Sequence, residues 1–328
     1  MIIKDCEIPI KTCMLEALIR RLPSSHHLQP ILTSDFNKNM AGYKGEQRVI
    51  SALRALPEKE YLIFHDLRLL GTPYPFQMDI LILTPYFLLI LEVKNIAGEI
   101  YFDQTFNQLI RTKADGKTEA FDDPILQVDR QRQQLLAWLK SKSYTKLPVE
   151  TLVVSANSSA IVRASNTNMN KKVIRKDYLL LKIGEFKGKY IKKILTPKAL
   201  KKVSALFMKE HTPHLPNLLD IYKIPRESLQ TDVYCPHCCN FSMERRLRKW
   251  VCRTCPSSSY DAHIPALQDY AILIKPTITN GECRRFLQLQ SSSSAKNLLL
   301  SLNLGHIGQT KGRMYLLDSL MLNKWREC

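Results

Sequence analysis

The apolar positions along the chain repeat with two periods. Val49, Ile50, Leu53 and Leu56 recur at helical spacing after Glu46, and Pro57 closes that run. Tyr61 to Leu69 alternates as a strand, and a loop from Gly71 to Pro75 follows. Ile80–Leu83 and Phe87–Leu91 are short apolar runs with Thr84-Pro85-Tyr86 between them, which predicts a hairpin. Ile96 to Phe102 opens a further strand pair. Asp122-Asp123-Pro124 starts a helix with Ile125, Val128, Gln131, Leu135 and Leu139 near one face. Val149–Ser155 and Val173–Ile183 read as strands, and Thr196-Pro197 caps a helix reaching about His211. The order predicts an α/β fold, a mixed sheet flanked by helices.

Breaks in the pattern divide the chain. Residues 1–37 read as an N-terminal extension, with a helical stretch near Met14 to Arg20 and then a loop from Pro23. Residues 38–210 form the α/β domain, and the prolines between His211 and Pro225 mark a linker over 211–231. A cysteine-rich unit covers 232–267 and a C-terminal unit covers 268–328.

The predicted hairpin carries chemistry at its end. Folding about Thr84–Tyr86 places Asp79 opposite Glu92, and directly opposed side chains have Cβ atoms about 4.5–5.5 Å apart. Like charges so placed repel, and Lys94 lies on the same face as Glu92. Two acids and a lysine at one strand end suit a divalent cation bound through oxygen, Mg²⁺ (or Mn²⁺), for phosphodiester hydrolysis. Asp79, Glu92 and the backbone carbonyl of Val93 are the expected ligands, with Lys94 beside the water or phosphate. Glu46, in Gly42-Tyr-Lys-Gly45-Glu46, is a further acid, although a carboxylate at a helix start is also favoured by the helix dipole.

The segment from Gly42 resembles the nuclease-related domain (NERD), a branch of the PD-(D/E)xK restriction-endonuclease-like superfamily. The motifs are Gly42, Gly45 and Glu46; Gln77 and Asp79 at a strand start; Glu92-Val93-Lys94 with Asn95 and Gly98; and Pro124-Ile-Leu-Gln127 at a helix start. The likeness covers roughly residues 38–205, with Met78 standing where the superfamily motif has proline. It implies a restriction-endonuclease-like sheet and a Mg²⁺-dependent nuclease with Glu46, Asp79, Glu92 and Lys94 catalytic and Gln77 and Gln127 auxiliary. The competing expectation is an old nuclease core that now only binds nucleic acid or regulates. An exposed helix face would explain Gln127 and Arg130 equally well.

Cys235-Pro-His-Cys238 and Cys252-Arg-Thr-Cys255 match tetrahedral Cys₄ zinc, with His237 and Cys239 as second choices of ligand. Disulfides are the competing account. Cys6, Cys13, Cys283 and Cys328 are expected as reduced thiols. The insert carries Arg245, Arg246, Arg248, Lys249 and Trp250, cations beside an aromatic, as nucleic-acid contacts. This unit resembles topoisomerase-type zinc ribbons, and a ribbon that mediates protein contact is the other expectation. The C-terminal unit reads as winged-helix-like, with a supporting helix Asn280–Leu289, a recognition helix Ala295–Leu302 and a wing Gly305–Arg313. Lys296, Lys311 and Arg313 are its candidate phosphate contacts, against a packing or dimerisation unit.

Charge sharpens the partner. Of the net +18, residues 1–37 contribute zero and residues 38–155 contribute +1, while 156–328 carry 29 basic against 12 acidic residues. Such asymmetry suggests a polyanion, DNA foremost or RNA, although a solvated basic face gives the same count. No apolar run spans a membrane and Lys4, Asp5 and Glu7 interrupt the start, so no membrane association and a cytoplasmic location are expected. The combined expectation is a bacterial DNA nuclease of processing, repair or defence. The chain has no helicase or ATPase motif, so any motor would be a partner protein, and a homodimer would ease the cutting of both strands.

Overall fold

The computed structural model describes residues 1–165 and 171–321. In chain order the elements are β1 (Ile2–Lys4), α1 (Ile10–Arg21), α2 (Gln29–Leu53), β2 (Leu62–Leu69), β3 (Phe76–Leu83), β4 (Leu88–Lys94), β5 (Glu99–Asp103), β6 (Gln108–Thr112) and β7 (Thr118–Asp122). They continue through α3 (Pro124–Ser141), β8 (Val149–Ser155), β9 (Ile161–Ala164), β10 (Val173–Arg175), α4 (Leu179–Lys189), α5 (Pro197–Glu210) and α6 (Leu218–Ile221). The last third holds β11 (Val233–Tyr234), β12 (Phe241–Arg246), β13 (Lys249–Cys252), β14 (Ser258–Ser259), α7 (His263–Leu273) and β15 (Thr277–Thr279). It ends with α8 (Asn280–Phe286), α9 (Ser292–Ser301), β16 (His306–Ile307), β17 (Met314–Leu316) and α10 (Asp318–Met321). Two units result, one of residues 1–9 and 38–214, the other of 10–37 and 215–328. No described helix is long and apolar enough to cross a membrane.

The first unit is a mixed α/β fold on a six-stranded sheet in the order β1-β2-β3-β4-β8-β10. β2, β3 and β4 form an antiparallel meander, and β8 returns parallel to β4 after α3. The central strands are near-continuously apolar because both faces are covered. Leu81, Leu83, Leu88 and Ile90 share a core with Ile125, Val128 and Leu135 of α3 and Phe207 of α5. Their neighbours Ile80, Ile82, Leu89 and Leu91 share the opposite core with Val49, Ile50 and Leu53 of α2 and Ile183 of α4. Thr84 closes the hairpin, its hydroxyl accepting from the N–H groups of Tyr86 and Phe87 at 3.1 and 2.9 Å. A second sheet, β7-β6-β5-β9, follows Gly98, whose φ of +98° strains any residue with a Cβ.

Several expectations are revised here. Val173–Ile183 is not one strand: β10 stops at Arg175, and Leu179, Ile183 and Phe186 then bury at helical spacing in α4. A short apolar run fits either period, and length does not separate them here. The helix expected near Gly42 begins at Gln29. Residues 1–37 are not appended to the fold, since β1 pairs with β2 in the main sheet and α1 belongs to the second unit. The stretch 211–231 buries Leu218, Ile224 and Leu229 and carries α6.

In the second unit, β11-β12-β13-β14 form an antiparallel sheet, and β15-β17-β16 form another. The order α7, β15, α8, α9, β16, β17 follows the expected winged-helix-like pattern, with α7 straddling the expected boundary at 267/268. Val233, Met243 and Trp250 of the small sheet share one apolar core with Leu267, Tyr270, Phe286 and Leu299. The small four-stranded sheet and the helices that follow it therefore bury surface together.

α1 joins this unit through charge. Arg21, fully buried, reaches Asp269 Oδ2 at 2.8 Å and donates to the carbonyls of Gln230 and Asp232. Arg20 holds the other Asp269 oxygen at 2.6 Å. Removing one partner of a buried ion pair leaves an uncompensated charge. Asp269→Ala is therefore expected to cost about 3–5 kcal/mol in urea unfolding monitored by circular dichroism, and an unchanged midpoint would contradict this.

Candidate active site

β3 and β4 pair Ile80 with Leu91, and one step along the same register Asp79 faces Glu92. The backbone pairing ends there. Asp79 Oδ2 instead accepts the N–H of Val93 at 2.8 Å, so a carboxylate ties the two strands together. On the other edge of β3 the pairing steps from His65–Ile80 to Leu67–Met78, and between them Asp66 has φ +51°. The sheet is thus interrupted around Asp79 on both sides.

Glu92 is 2 % exposed. Its Oε1 takes a charged hydrogen bond from Lys94 Nζ at 2.7 Å and its Oε2 accepts from Gln131 Nε2 at 3.0 Å. Lys94 Nζ also donates to Gln127 Oε1 at 3.1 Å. Gln127 and Gln131, one helical turn apart, present their amides to the end of β4. The Asp123 cap on the N–H of Ile125, with Pro124 in the first turn, sets where α3 starts and hence where those amides stand. The sequence pattern places Gln131 only on an apolar face; its repeat four residues after Gln127 is the signal that points to the site. Gln131 Oε1 is buried without a hydrogen-bond partner.

Glu46 lies past the middle of α2, so the helix-start account of this acid fails. Its Oε2 meets His65 Nε2 at 2.5 Å, and His65 is fully buried with Nδ1 unpartnered. Burial, then the charges of Glu92 and Glu46, raise the Asp79 carboxyl well above the ordinary carboxylate range. The expected acids are therefore neighbours. Among the described residues they do not form a ready cluster of three donors; Glu46 engages His65, and Glu92 engages Lys94 and Gln131. Gln77 stays outside this group: it is exposed and donates to Asp66. Lys4, not singled out from sequence, donates to the His65 carbonyl at 2.8 Å and lies 4.0 Å from Asp66. A cleft of about 1100 Å³ adjoins the site, with Phe76, Gln77, Asp123, Gln127, Arg130 and Gln131 among its walls.

Gly45 explains the glycine before Glu46. A Cβ there would run into Asn95 Cβ, just past β4, whereas one at Gly42 would meet nothing within 4 Å. Gly42→Ala is expected to be neutral or to stabilise by up to about 1 kcal/mol, the helix-propensity gain. Gly45→Ala should instead destabilise by about 1–3 kcal/mol through overpacking. Thermal unfolding of both variants checks the opposite signs.

The pair Asp79 and Glu92, without Glu46, fits a cation held by two carboxylates. Burial and mutual repulsion disfavour charge on Asp79 beside Glu92, which a bound divalent ion would relieve, and the unpartnered Gln131 oxygen lies beside Glu92.

The cysteine pairs meet more closely. All four Sγ atoms of Cys235, Cys238, Cys252 and Cys255 lie within 4.8 Å of one another. Cys235–Cys255 and Cys238–Cys252 are 3.8 and 3.6 Å apart, near the tetrahedral edge of about 3.8 Å that Zn–S bonds of about 2.3 Å require. The Ser242 hydroxyl and the N–H groups of Thr254 and Cys255 pull the Cys252 thiol down to about 5, favouring the thiolate. His237 and Cys239 are exposed and outside the cluster. Burial pushes the Cys6, Cys13 and Cys283 thiols up to about 12, and Cys328 lies outside the described residues.

One expected nucleic-acid contact is overturned. Trp250 is 1 % exposed and donates from Nε1 to His263 Nδ1 at 3.1 Å, so it is core rather than a stacking platform. Arg245 lies half-buried over its ring at 5.4 Å. Arg246, Arg248 and Lys249 are exposed, as is Lys296 on α9. Arg313 is half-buried, and the Lys311 side chain lies outside the description.

Residues 41–156 match the family model of the nuclease-related domain, NERD. Searches of curated proteins and of solved structures gave no match.

Proposed function

From the nuclease-related domain at residues 41–156, we propose a divalent-cation-dependent deoxyribonuclease. The observation that carries this reading is Glu92, buried between Lys94 and Gln131 at the point where the sheet opens around Asp79. Asp79, Glu92 and the Val93 carbonyl would hold Mg²⁺ (or Mn²⁺), which supplies Lewis-acid activation of water and neutralises phosphate charge. Gln127 and Glu92 fix the Lys94 ammonium, so that one cation of the chain itself faces the phosphate in a set direction. Gln131 orients Glu92 by its second oxygen, and His65 orients Glu46 at the edge of the same site. Asp79, hydrogen-bonded to Val93, keeps its carboxylate at the strand junction rather than in solvent. Positioning of this kind removes orientational freedom before reaction. The basic residues after 155, most of whose excess falls within the α/β domain itself, would hold the polyanion, with affinity falling steeply as salt rises.

A second reading, a core that binds nucleic acid without cutting it, draws on the engagement of Glu46 and Glu92 by protein partners. Supercoiled, linear and single-stranded DNA and an RNA, incubated with Mg²⁺ and wild type or Asp79→Asn, separate the two. Cleavage of a DNA form that Asp79→Asn loses supports the nuclease. Equal cleavage by both proteins removes the site, and binding without cleavage of any substrate favours the second reading.

A further inference from the structure

The turn joining β12 to β13 is built against its own local preferences. Arg246 pairs with Lys249, leaving Leu247 and Arg248 as a two-residue hairpin loop. Leu247 takes the first loop position with φ +54°, where such hairpins favour glycine or asparagine. Its side chain is 99 % exposed. A leucine here is strained in its backbone and solvated along its whole apolar surface, so neither folding nor solubility accounts for it. Arg246, Arg248 and Lys249 surround it, all exposed. The base of the hairpin is fixed by Cys252 in the four-cysteine cluster and by Trp250 in the core shared with α7.

We propose that Leu247 is a wedge that enters a base step of duplex DNA, with Arg248 and Lys249 on the flanking phosphates. Apolar side chains inserted between base pairs unstack them and kink the helix, while neighbouring cations secure the backbone. A fully exposed leucine on a basic hairpin tip, anchored at its base, has both parts. Arg246 also pairs with Glu244 at 3.0 Å, which holds its guanidinium along the strand and leaves Arg248 and Lys249 as the forward cations. The assignment rests on DNA being the ligand of this chain but not on its being cut.

The test uses the full-length, zinc-loaded protein without Mg²⁺ and a duplex containing 2-aminopurine, whose fluorescence rises on unstacking. Wild type is expected to raise the signal. Leu247→Gly, which relieves the backbone strain and so keeps the fold, should abolish the rise and weaken binding about tenfold, with its salt slope unchanged. Leu247→Met should retain both signal and affinity. Arg248→Ala/Lys249→Ala should instead flatten the salt dependence by about two. Unstacking and affinity unchanged in Leu247→Gly, or no fluorescence rise with wild type, would overturn the wedge. Neither result bears on cleavage, which the Asp79→Asn comparison decides separately.

Discussion

Glu92→Gln is expected to reduce DNA cleavage by at least about a thousandfold while leaving the protein folded. The amide keeps the shape of the side chain and can still accept from Gln131, so the buried contact at the end of β4 survives. What disappears is the charge. A divalent ion at Asp79 would lose one of its two carboxylates, and Lys94 would lose its 2.7 Å counter-ion. Cation stabilisation of the reacting phosphate amounts to several kcal/mol, and about 4 kcal/mol is a thousandfold in rate. Stability should not fall in step, because Glu92 is one cause of the raised Asp79 carboxyl and its neutralisation relieves that repulsion. Plasmid-cleavage rates measured beside thermal melting check both halves. Activity within tenfold of wild type would remove Glu92 from the chemistry.

The second large effect concerns zinc. Structural zinc contributes about 10–16 kcal/mol of apparent binding free energy in small domains at neutral pH, as much as a whole domain's net stability of about 5–15 kcal/mol. The strands β11 to β14 are two to six residues long and cannot bury enough surface alone. They also share the core with α7, α8 and α9 through Val233, Met243 and Trp250, so the damage should spread past the ribbon. Cys252→Ser is expected to bind less than one zinc per chain by elemental analysis and to expose Trp250, red-shifting its fluorescence. A variant that retains full zinc and the wild-type emission would show that Cys252 is not a ligand.

Much of the first unit was legible because its signals are local. The turn at Thr84–Tyr86 sets a register, and the register puts Asp79 opposite Glu92 without knowledge of any distant contact. The four cysteines were legible for the same reason, since each pair lies on one tight turn. Contacts between distant segments were not legible. Nothing near Glu46 announces His65, nineteen residues on, or the Asn95 side chain that requires Gly45. Trp250 sits among Arg245, Arg248 and Lys249 and so reads as a surface residue; strand alternation turns it inward, and only the fold supplies His263 behind it. The lone strand expected over Val173–Ile183 failed because apolar runs of that length fit either period until packing chooses.

Mn²⁺ titration by electron paramagnetic resonance, on zinc-loaded protein with a short DNA duplex bound, addresses the cation site itself. A bound-Mn²⁺ signal is expected in wild type and in Lys94→Met, which keeps both acids, and its loss is expected in Asp79→Asn and Glu92→Gln. The same signal in all four proteins, or none in wild type, would contradict a divalent-cation site at Asp79 and Glu92.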